Sequence, residues 1–245
     1  MAATPDAQAE ALAQQADQRL HGFGDSRARL TMTLISSSGQ TASRQLRVQT
    51  LENGKDGDRS LMVFDTPRDV SGTALLTQTR VEADDLQWLY LPALGRVKQI
   101  GGGNKSGPFM GSEFAFEDIV TPYWQKYRYS LIGDQKCSAP AVTLTCTVLE
   151  RTPKDPNSGY TRQQVWIDRQ DLLIRRIDFY DRKNTLLKTY TASGFQQVQG
   201  QWRPSSMLMV NLQTHKQTRL DWSDYQFRTG LKPADFSETA LKRTR

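Results

Sequence analysis

The chain has 245 residues, of which 37% are hydrophobic and 24% are charged. This length suits one all-β domain, so we expect a single domain over residues 1–245, and no run of about 18 apolar residues predicts a transmembrane helix. The chain has 32 Lys and Arg residues and 26 Asp and Glu residues, which gives a net charge of +6. This excess is small and spread along the chain, which indicates a solvated surface and argues against a nucleic-acid-binding protein.

The N-terminal segment, residues 1–23, predicts an amphipathic helix. Thr4 suits the N-cap, Pro5 suits the first helical position, and the GFG sequence at 22–24 ends the helix. The apolar stripe consists of Leu12, Ala16, Leu20 and Phe23. Neither the basic nor the apolar region of a signal peptide is present here, and Met-Ala-Ala-Thr-Pro is typical of a chain from which a signal peptide has been removed.

After this helix the hydrophobic period changes from 3.6 to 2. Apolar residues alternate with polar ones in successive runs, first at Ala28, Leu30, Met32 and Leu34. Turn sequences such as SSSGQ, ENGKDGD and TPKDPNSG separate about eleven runs, with no helical pattern between most of them. This spacing excludes a parallel βαβ sheet and predicts an antiparallel meander that curls or closes.

The strand DDLQWLYLPAL departs from simple alternation because both of its faces are apolar. Trp88 and Tyr90 lie on one face, whereas Leu89 and Leu91 lie on the other. We expect this strand to be covered on both faces or to reach into a cavity.

The sequence GGGNKSG at 101–107 looks like a phosphate-binding loop but does not match one. Asn104 stands before Lys105 where that loop requires glycine, and Ser106 stands where a dinucleotide loop requires a third glycine. An aromatic segment follows, in which Ser112 can cap a short helix with Glu113 in its first turn. A glycine-rich hinge followed by an aromatic helix is typical of a lid, here over residues 101–122.

No catalytic or metal-binding pattern stands out. His21 and His215 lack metal-ligand spacing and are expected at the surface, and Ser112 lacks the second glycine of a nucleophile elbow. The carboxylates at Glu113, Glu117 and Asp118 are expected on the wet face of the short helix. We therefore expect neither an enzyme nor a bound cofactor or metal.

Three further features allow alternatives. In YWQKYRYS at 123–130, alternating aromatic and basic residues suit a nucleic-acid stacking platform, but a strand with one buried and one solvated face is favoured. Met207 and Met209 share a strand face and suit either gap filling in a core or contact with variable apolar partners. Cys137 and Cys146 flank a predicted turn, SAP at 138–140, and could form a disulfide or stay as buried thiols, depending on the compartment.

Six segments of the sequence, taken together and in their order along the chain, form a specific sequence pattern. They are FDTPRDVSGTALL, DLQWLYLPALGRVKQI, FMGSEFAFEDI, VWIDRQDLLIRRIDFYDRKNTLLKTY, QGQWRPSSMLMVNLQTHKQTRLDWSDYQF and LKPADFSETALKR, in this order. The pattern resembles the LolA-like outer-membrane lipoprotein-sorting proteins of Gram-negative bacteria. It extends from about residue 20 to the end and resembles the branch often encoded beside RND-type exporters.

This resemblance implies a mainly β fold: an unclosed antiparallel β-barrel of about eleven strands around a hydrophobic cavity, with an N-terminal helix and a short helical lid. It implies a monomeric periplasmic carrier or chaperone, without catalysis, that binds acyl chains of a lipid or lipoprotein for transfer toward the outer membrane. An RND-type inner-membrane exporter and an outer-membrane acceptor would be its partners. In that compartment Cys137 and Cys146 are expected to form a disulfide.

The expected cavity lining and lid combine residues that share strand faces with residues of the aromatic segment. They are Trp88, Tyr90, Phe109, Met110, Phe114, Phe116, Met207 and Met209. The glycine-rich stretch then supplies backbone freedom to the lid. Two alternatives remain: an adaptor that docks on an exporter through its apolar surface, and a lipid hydrolase that uses Ser112 or Glu117.

Overall fold

The computed structural model describes residues 6–139 and 142–242. This part of the chain forms two helices and thirteen strands, joined by turns and short 3-10 helices. They are α1 (Ala7–Gln18), β1 (Asp25–Ile35), β2 (Thr41–Leu51), β3 (Arg59–Thr66), β4 (Ala74–Gln78), β5 (Leu86–Leu91), β6 (Arg96–Ile100), β7 (Tyr127–Ala139), β8 (Val142–Pro153), β9 (Tyr160–Asp168), β10 (Ile174–Asp181), β11 (Leu186–Val198), β12 (Gln201–Asn211), β13 (Gln217–Phe227) and α2 (Glu238–Leu241).

All thirteen strands belong to one antiparallel sheet with the order β6-β5-β4-β3-β2-β1-β13-β12-β11-β10-β9-β8-β7. Strands β1 and β13 pair, with Met32 opposite Leu220, so the two halves of the meander meet in the middle of the sheet. Strands β6 and β7 are the two edges, and the barrel is therefore unclosed, as predicted. There are thirteen strands instead of about eleven, because strands as short as β4 and β6, with five residues each, carry little periodic signal.

Helix α1 is shorter than predicted. It begins after Asp6, whose carboxylate accepts hydrogen bonds from the backbone N–H groups of Gln8 (3.0 Å) and Ala9 (3.2 Å). The N-cap is therefore Asp6 and not Thr4; the predicted cap and first turn at Thr4 and Pro5 lie outside the described residues. The buried stripe consists of Ala9, Ala13 and Ala16, and these small side chains let the helix pack closely against the inner side of the sheet.

The sheet buries apolar residues on both faces in its β3–β5 region. Met62 and Phe64 of β3 point into the main core, whereas Leu61 and Val63 point outward. The outer face is covered by the C-terminal segment, from which Leu231, Phe236 and Leu241 pack against it. This cover explains why strands in this region lack polar alternation, and it confirms that β5 is covered on both faces.

A disulfide joins Cys137 of β7 to Cys146 of β8, with a Cα–Cα distance of 5.8 Å. Both cysteines are buried beside Val148 and Trp166 in a separate cluster. The predicted pairing is confirmed; the predicted turn at 138–140 lies partly outside the described residues.

Residues 101–122, called here the crossing segment, form most of the connection between the two edge strands β6 and β7. The short α-helix predicted after Ser112 is absent. Within this segment only single 3-10 turns occur, at Gly102–Ser106, Phe109–Gly111 and Phe116–Asp118. Met110 and Gly111 both have positive φ (50° and 74°), a conformation that interrupts a right-handed helix. Instead of capping a helix, the Ser112 hydroxyl bonds to the backbone of Phe114.

Candidate functional site

The concave face of the sheet encloses a cavity of about 360 Å³. Its walls come from α1, the crossing segment and the inward side chains of ten strands: β1–β3 and β7–β13. Most wall residues are apolar, for example Leu30, Met62, Ile177 and Leu220. A volume between about 300 and 1,000 Å³ with a mainly apolar lining and a few polar groups is typical of a small-molecule binding site.

Four of the eight predicted site residues line this cavity: Phe109, Phe114, Met207 and Met209. Phe109 is fully buried between Phe64 (ring centroids 5.8 Å apart) and Phe116 (5.6 Å apart). Met110 and Phe116 belong to the same core but do not lie on the cavity wall. The aromatic segment is thus packed into the main core as well as facing the cavity.

The prediction that Trp88 and Tyr90 share this apolar volume is wrong. Both pack on the outer face, in the cluster under the C-terminal segment, whereas Leu89 and Leu91 of the same strand face the main core. Alternation along a strand separates two faces but does not say which one points inward. Because both faces of β5 are apolar, hydrophobicity alone could not decide between them.

Buried charges hold the crossing segment against the strands. Asp118 Oδ2 lies 2.6 Å from Lys188 Nζ of β11, and the Tyr160 hydroxyl donates to Asp118 Oδ1 at 2.9 Å. Burial, with the neighbouring Asp118 and Glu117, raises the pKa of Tyr160 well above its ordinary value, so its hydroxyl stays a donor. The Asp118 side chain is 6% exposed. The expectation of a wet helix face is wrong here, because no helix forms and Lys188 supplies a buried cation.

Glu113 and Glu117 also serve as anchors. Glu117 accepts hydrogen bonds from the Ser158 hydroxyl (2.7 Å) and from the Gly159 N–H (2.8 Å). Burial raises the pKa of the Glu117 carboxyl, although these hydrogen bonds oppose the change. Glu113 accepts a hydrogen bond from Asn211 Nδ2 at 2.7 Å. Each of the three predicted surface carboxylates therefore has a partner on a strand or a strand-connecting loop.

A second polar group lies at the end of the cavity near the C-terminal end of α1. His21, predicted at the surface, lines the cavity and stacks on Tyr123 with ring centroids 5.2 Å apart. Its Nδ1 lies 3.2 Å from Glu52 Oε1, and its Nε2 makes a longer 3.4 Å contact with Asp17. The carboxylates of Asp17 and Glu52 raise the pKa of His21 to about 10. His21 is therefore a charged, structural side chain at neutral pH.

Residues 6–139 and 142–242 contain no group of three or more His, Cys, Asp or Glu side chains placed to bind a metal ion. In the same ranges no helix is long and apolar enough to span a membrane.

An unclosed antiparallel barrel around an apolar cavity defines a class of fold that encloses small apolar ligands. A family model described as an uncharacterized protein matches residues 56–243. A domain from Vibrio parahaemolyticus assigned to outer membrane lipoprotein sorting is 45% identical, with a TM-score of 0.92, over 96% of this chain and 99% of that chain. A DUF1329 family protein from Desulfovibrio piger is 32% identical, with a TM-score of 0.90, over 98% of this chain and 100% of that chain.

A LolA superfamily protein from Nitrosomonas europaea shares the fold at 20% identity, with a TM-score of 0.75, over 97% of this chain and 100% of that chain. No curated protein matches the sequence. The chain belongs to the LolA-like family of outer-membrane lipoprotein-sorting proteins.

Proposed function

We propose that this protein is a periplasmic carrier that encloses acyl chains of a lipid or lipidated protein for transfer toward the outer membrane. The observation that carries the proposal is the apolar cavity of about 360 Å³ between the sheet, α1 and the crossing segment. The family to which the chain belongs supports the same role. An RND-type exporter and an outer-membrane acceptor remain predicted partners.

The energetics of such a carrier match this architecture. Removing an acyl chain from water is favourable by about 0.8 kcal/mol per CH₂ group, so a chain bound in an apolar cavity is strongly retained. Release then requires a wall that can move. The crossing segment is the wall without regular secondary structure, and it is attached by side-chain bonds such as that between Arg44 Nη1 and the Met110 carbonyl oxygen.

We expect no hydrolase activity. The Ser112 hydroxyl is occupied by the backbone of Phe114, and the Glu117 carboxylate by Ser158 and Gly159. Neither arrangement contains the histidine base that would activate a serine nucleophile. The carboxylates of the crossing segment hold it to the barrel and do not form an acid/base pair.

Two measurements test the carrier proposal. Native mass spectrometry of protein purified without detergent should detect a bound lipid, and hexadecanoate should displace a fluorescent apolar probe from the cavity. Met207→Asp, on the cavity wall, should weaken displacement by at least about tenfold, because a buried unpaired carboxylate costs several kcal/mol. The matched control is Leu94→Asp, whose side chain is 65% exposed outside the cavity.

The absence of acyl-chain binding at tens of micromolar, across several lipid classes, would overturn the proposal. Capture of a transporter by the lipid-free protein would then favour an adaptor role.

A further inference from the structure

One end of the cavity contains an arginine without a carboxylate partner. Arg203 of β12 lines the wall, with its guanidinium carbon 4.8 Å from the Phe23 ring centroid and 5.1 Å from that of Phe227. Its Nη groups donate to the backbone carbonyls of Trp202 (2.7 Å) and Leu20 (3.3 Å). No ion pair among the described residues includes Arg203, whereas Arg162, Arg175 and Arg176 all have carboxylate partners.

This arginine stays charged in an environment that disfavours charge. Burial lowers the pKa of its guanidinium, but arginine remains protonated in proteins. The hydrogen bonds to Trp202 and Leu20 use two of its five N–H donors. A largely buried cation with spare donors is stabilised when an anion enters its site.

Two aromatic residues of β13 add donors to the same end of the cavity. The Trp222 indole Nε1–H is buried and has no hydrogen-bond partner among the described residues. Tyr225 stacks on Trp222, with ring centroids 5.8 Å apart, and burial raises the pKa of its hydroxyl, which keeps its proton. Both residues line the cavity. A buried N–H without an acceptor is costly unless a ligand or water satisfies it.

A backbone irregularity brings these donors together. Between Arg27 and Arg29 the β1–β13 register shifts, and Asp224 adopts a positive φ of 54°. This bulge inserts a residue between Trp222 and Tyr225, so that both reach the inner face although they are three positions apart. Without it, alternation would turn Tyr225 outward and place Asp224 opposite Arg203.

Each of the two nearby carboxylates already has a hydrogen-bond partner of its own. Glu52 and Asp58 act on Arg203 through space, but neither forms an ion pair with it. Glu52 accepts hydrogen bonds from the N–H groups of Gly22 (2.8 Å) and Gly24 (2.6 Å) and contacts His21. Asp58 Oδ1 accepts a hydrogen bond from the Tyr123 hydroxyl at 2.7 Å, whereas its buried Oδ2 has no hydrogen-bond partner among the described residues.

We propose that Arg203, Trp222 and Tyr225 form an anion-binding site that takes the carboxylate or phosphate headgroup of a lipid whose acyl chain fills the cavity. The inference rests on the proposed carrier function and deepens it, because it assigns the cargo to acidic lipids. Guanidinium groups bind carboxylate and phosphate through paired charge-assisted hydrogen bonds, and the adjoining apolar wall accepts the chain.

The test compares ligands that share one chain length. Hexadecanoate, hexadecyl phosphate, hexadecanol and inorganic phosphate compete against a neutral fluorescent probe, N-phenyl-1-naphthylamine. For the wild-type protein we expect both acidic lipids to bind at least about tenfold more tightly than hexadecanol, which corresponds to about 1.4 kcal/mol. Inorganic phosphate should not compete at concentrations at which hexadecyl phosphate saturates the protein.

Matched variants locate the site. Arg203→Gln should lose the preference for acidic lipids and keep its affinity for hexadecanol, whereas Arg203→Lys should retain part of the preference. Trp222→Phe, which removes only the indole N–H and some ring surface, should reduce the preference without unfolding the chain. Arg219→Gln, on the exposed face of β13, should behave like the wild type.

Several outcomes would overturn the headgroup site while leaving the carrier function intact. The first is that the wild type binds hexadecanol and hexadecanoate equally well. The second is that inorganic phosphate binds as tightly as hexadecyl phosphate. The third is that only Arg151→Gln, and not Arg203→Gln, loses the preference for acidic lipids. Arg151 is the second cavity-lining arginine without an ion pair; its Nε donates to Gln163 Oε1 at 2.7 Å. If no ligand displaces the probe, the carrier function itself fails.

Discussion

Lys188 and Asp118 form an ion pair of 2.6 Å inside the barrel, with side chains only 5% and 6% exposed. Lys188 Nζ also donates to the Glu113 carbonyl oxygen at 2.8 Å, so one cation binds two points of the crossing segment. Such a pair is expensive to desolvate, and its main effect is to fix one arrangement of the segment over the cavity.

Asp118→Asn should therefore destabilise the fold strongly. Removing one partner leaves a buried, uncompensated ammonium group, which costs about 3–5 kcal/mol. For a chain of this size we expect a fall in melting temperature of about 6–20 °C in thermal denaturation. The double variant Asp118→Asn with Lys188→Met should recover part of the loss.

The control is Asp221→Asn, which breaks the half-exposed pair with Arg219 (2.8 Å) and should cost less than about 1 kcal/mol. Equal losses in the two single variants would contradict the anchoring role of Lys188.

Substitutions on opposite faces of the sheet should separate stability from ligand binding. Trp88→Ala removes packing under the C-terminal segment and should cost about 1–3 kcal/mol without changing acyl-chain affinity. Phe114→Ala removes a cavity wall residue that packs edge-on to Tyr190, and should weaken hexadecanoate binding by about tenfold as well as lowering stability. Weaker binding in Trp88→Ala than in Phe114→Ala would place the ligand on the outer face.

The contrast between these two positions shows how far the sequence could predict the site. Alternation such as that at Leu30 and Met32 was enough to predict an antiparallel meander, because strands of this kind have only one apolar face. It could not orient β5, since the cover for its outer face comes from residues 231–241, far along the chain. The glycine-rich stretch predicted a break in regular structure, but the burial of Asp118 depends on Lys188, 70 positions later.

The proposed headgroup site was missed for a related reason. Nothing in the sequence TRLDWSDYQF indicates a bulge, and strict alternation would give Trp222 and Tyr225 opposite faces. Only the pairing with β1 reveals the inserted residue at Asp224. The sequence around Arg203, next to Pro204, likewise suggests an arginine at the surface. Only the curvature of the sheet places its side chain on the cavity wall.

Reduction of the disulfide should lower stability and leave the cavity unchanged. The bridged cysteines are nine positions apart in the sequence, and loss of such a constraint costs about 2.5–3 kcal/mol in the chain-entropy model. Because Cys137 and Cys146 pack in a cluster separate from the cavity, hexadecanoate affinity should not change. Melting temperatures and probe displacement with and without reductant test both statements, and Cys137→Ser with Cys146→Ser should reproduce the reduced protein.

Thiol titration of the denatured, unreduced chain should find no free thiol. Two free thiols, or a loss of lipid binding on reduction, would contradict the structural role of this bridge.

His21 should make stability depend on pH in the alkaline range. Asp17 and Glu52 raise its pKa in the folded chain to about 10, against about 6.5 when unfolded. Its contribution is therefore fully present below pH 6.5 and is lost as the pH rises toward 10. Burial acts to raise the pKa of Glu52, but its hydrogen bonds with His21 and two glycine N–H groups outweigh burial and lower it. Burial raises the pKa of Tyr123, so these two neighbours keep their charge states across this window.

Between pH 6.5 and 10 the wild type should consequently lose on the order of 2–4 kcal/mol more free energy of unfolding than His21→Gln. Urea denaturation at several pH values measures the difference, since the substitution removes this titration and keeps a polar side chain beside Glu52. His215→Gln is the control, because His215 is exposed in the turn after β12 and should leave the pH profile of the wild type unchanged. Parallel profiles for the wild type and His21→Gln would mean that the contacts of His21 with Asp17 and Glu52 are too weak to hold its proton. The cavity end near Arg203 would then carry one positively charged side chain instead of two.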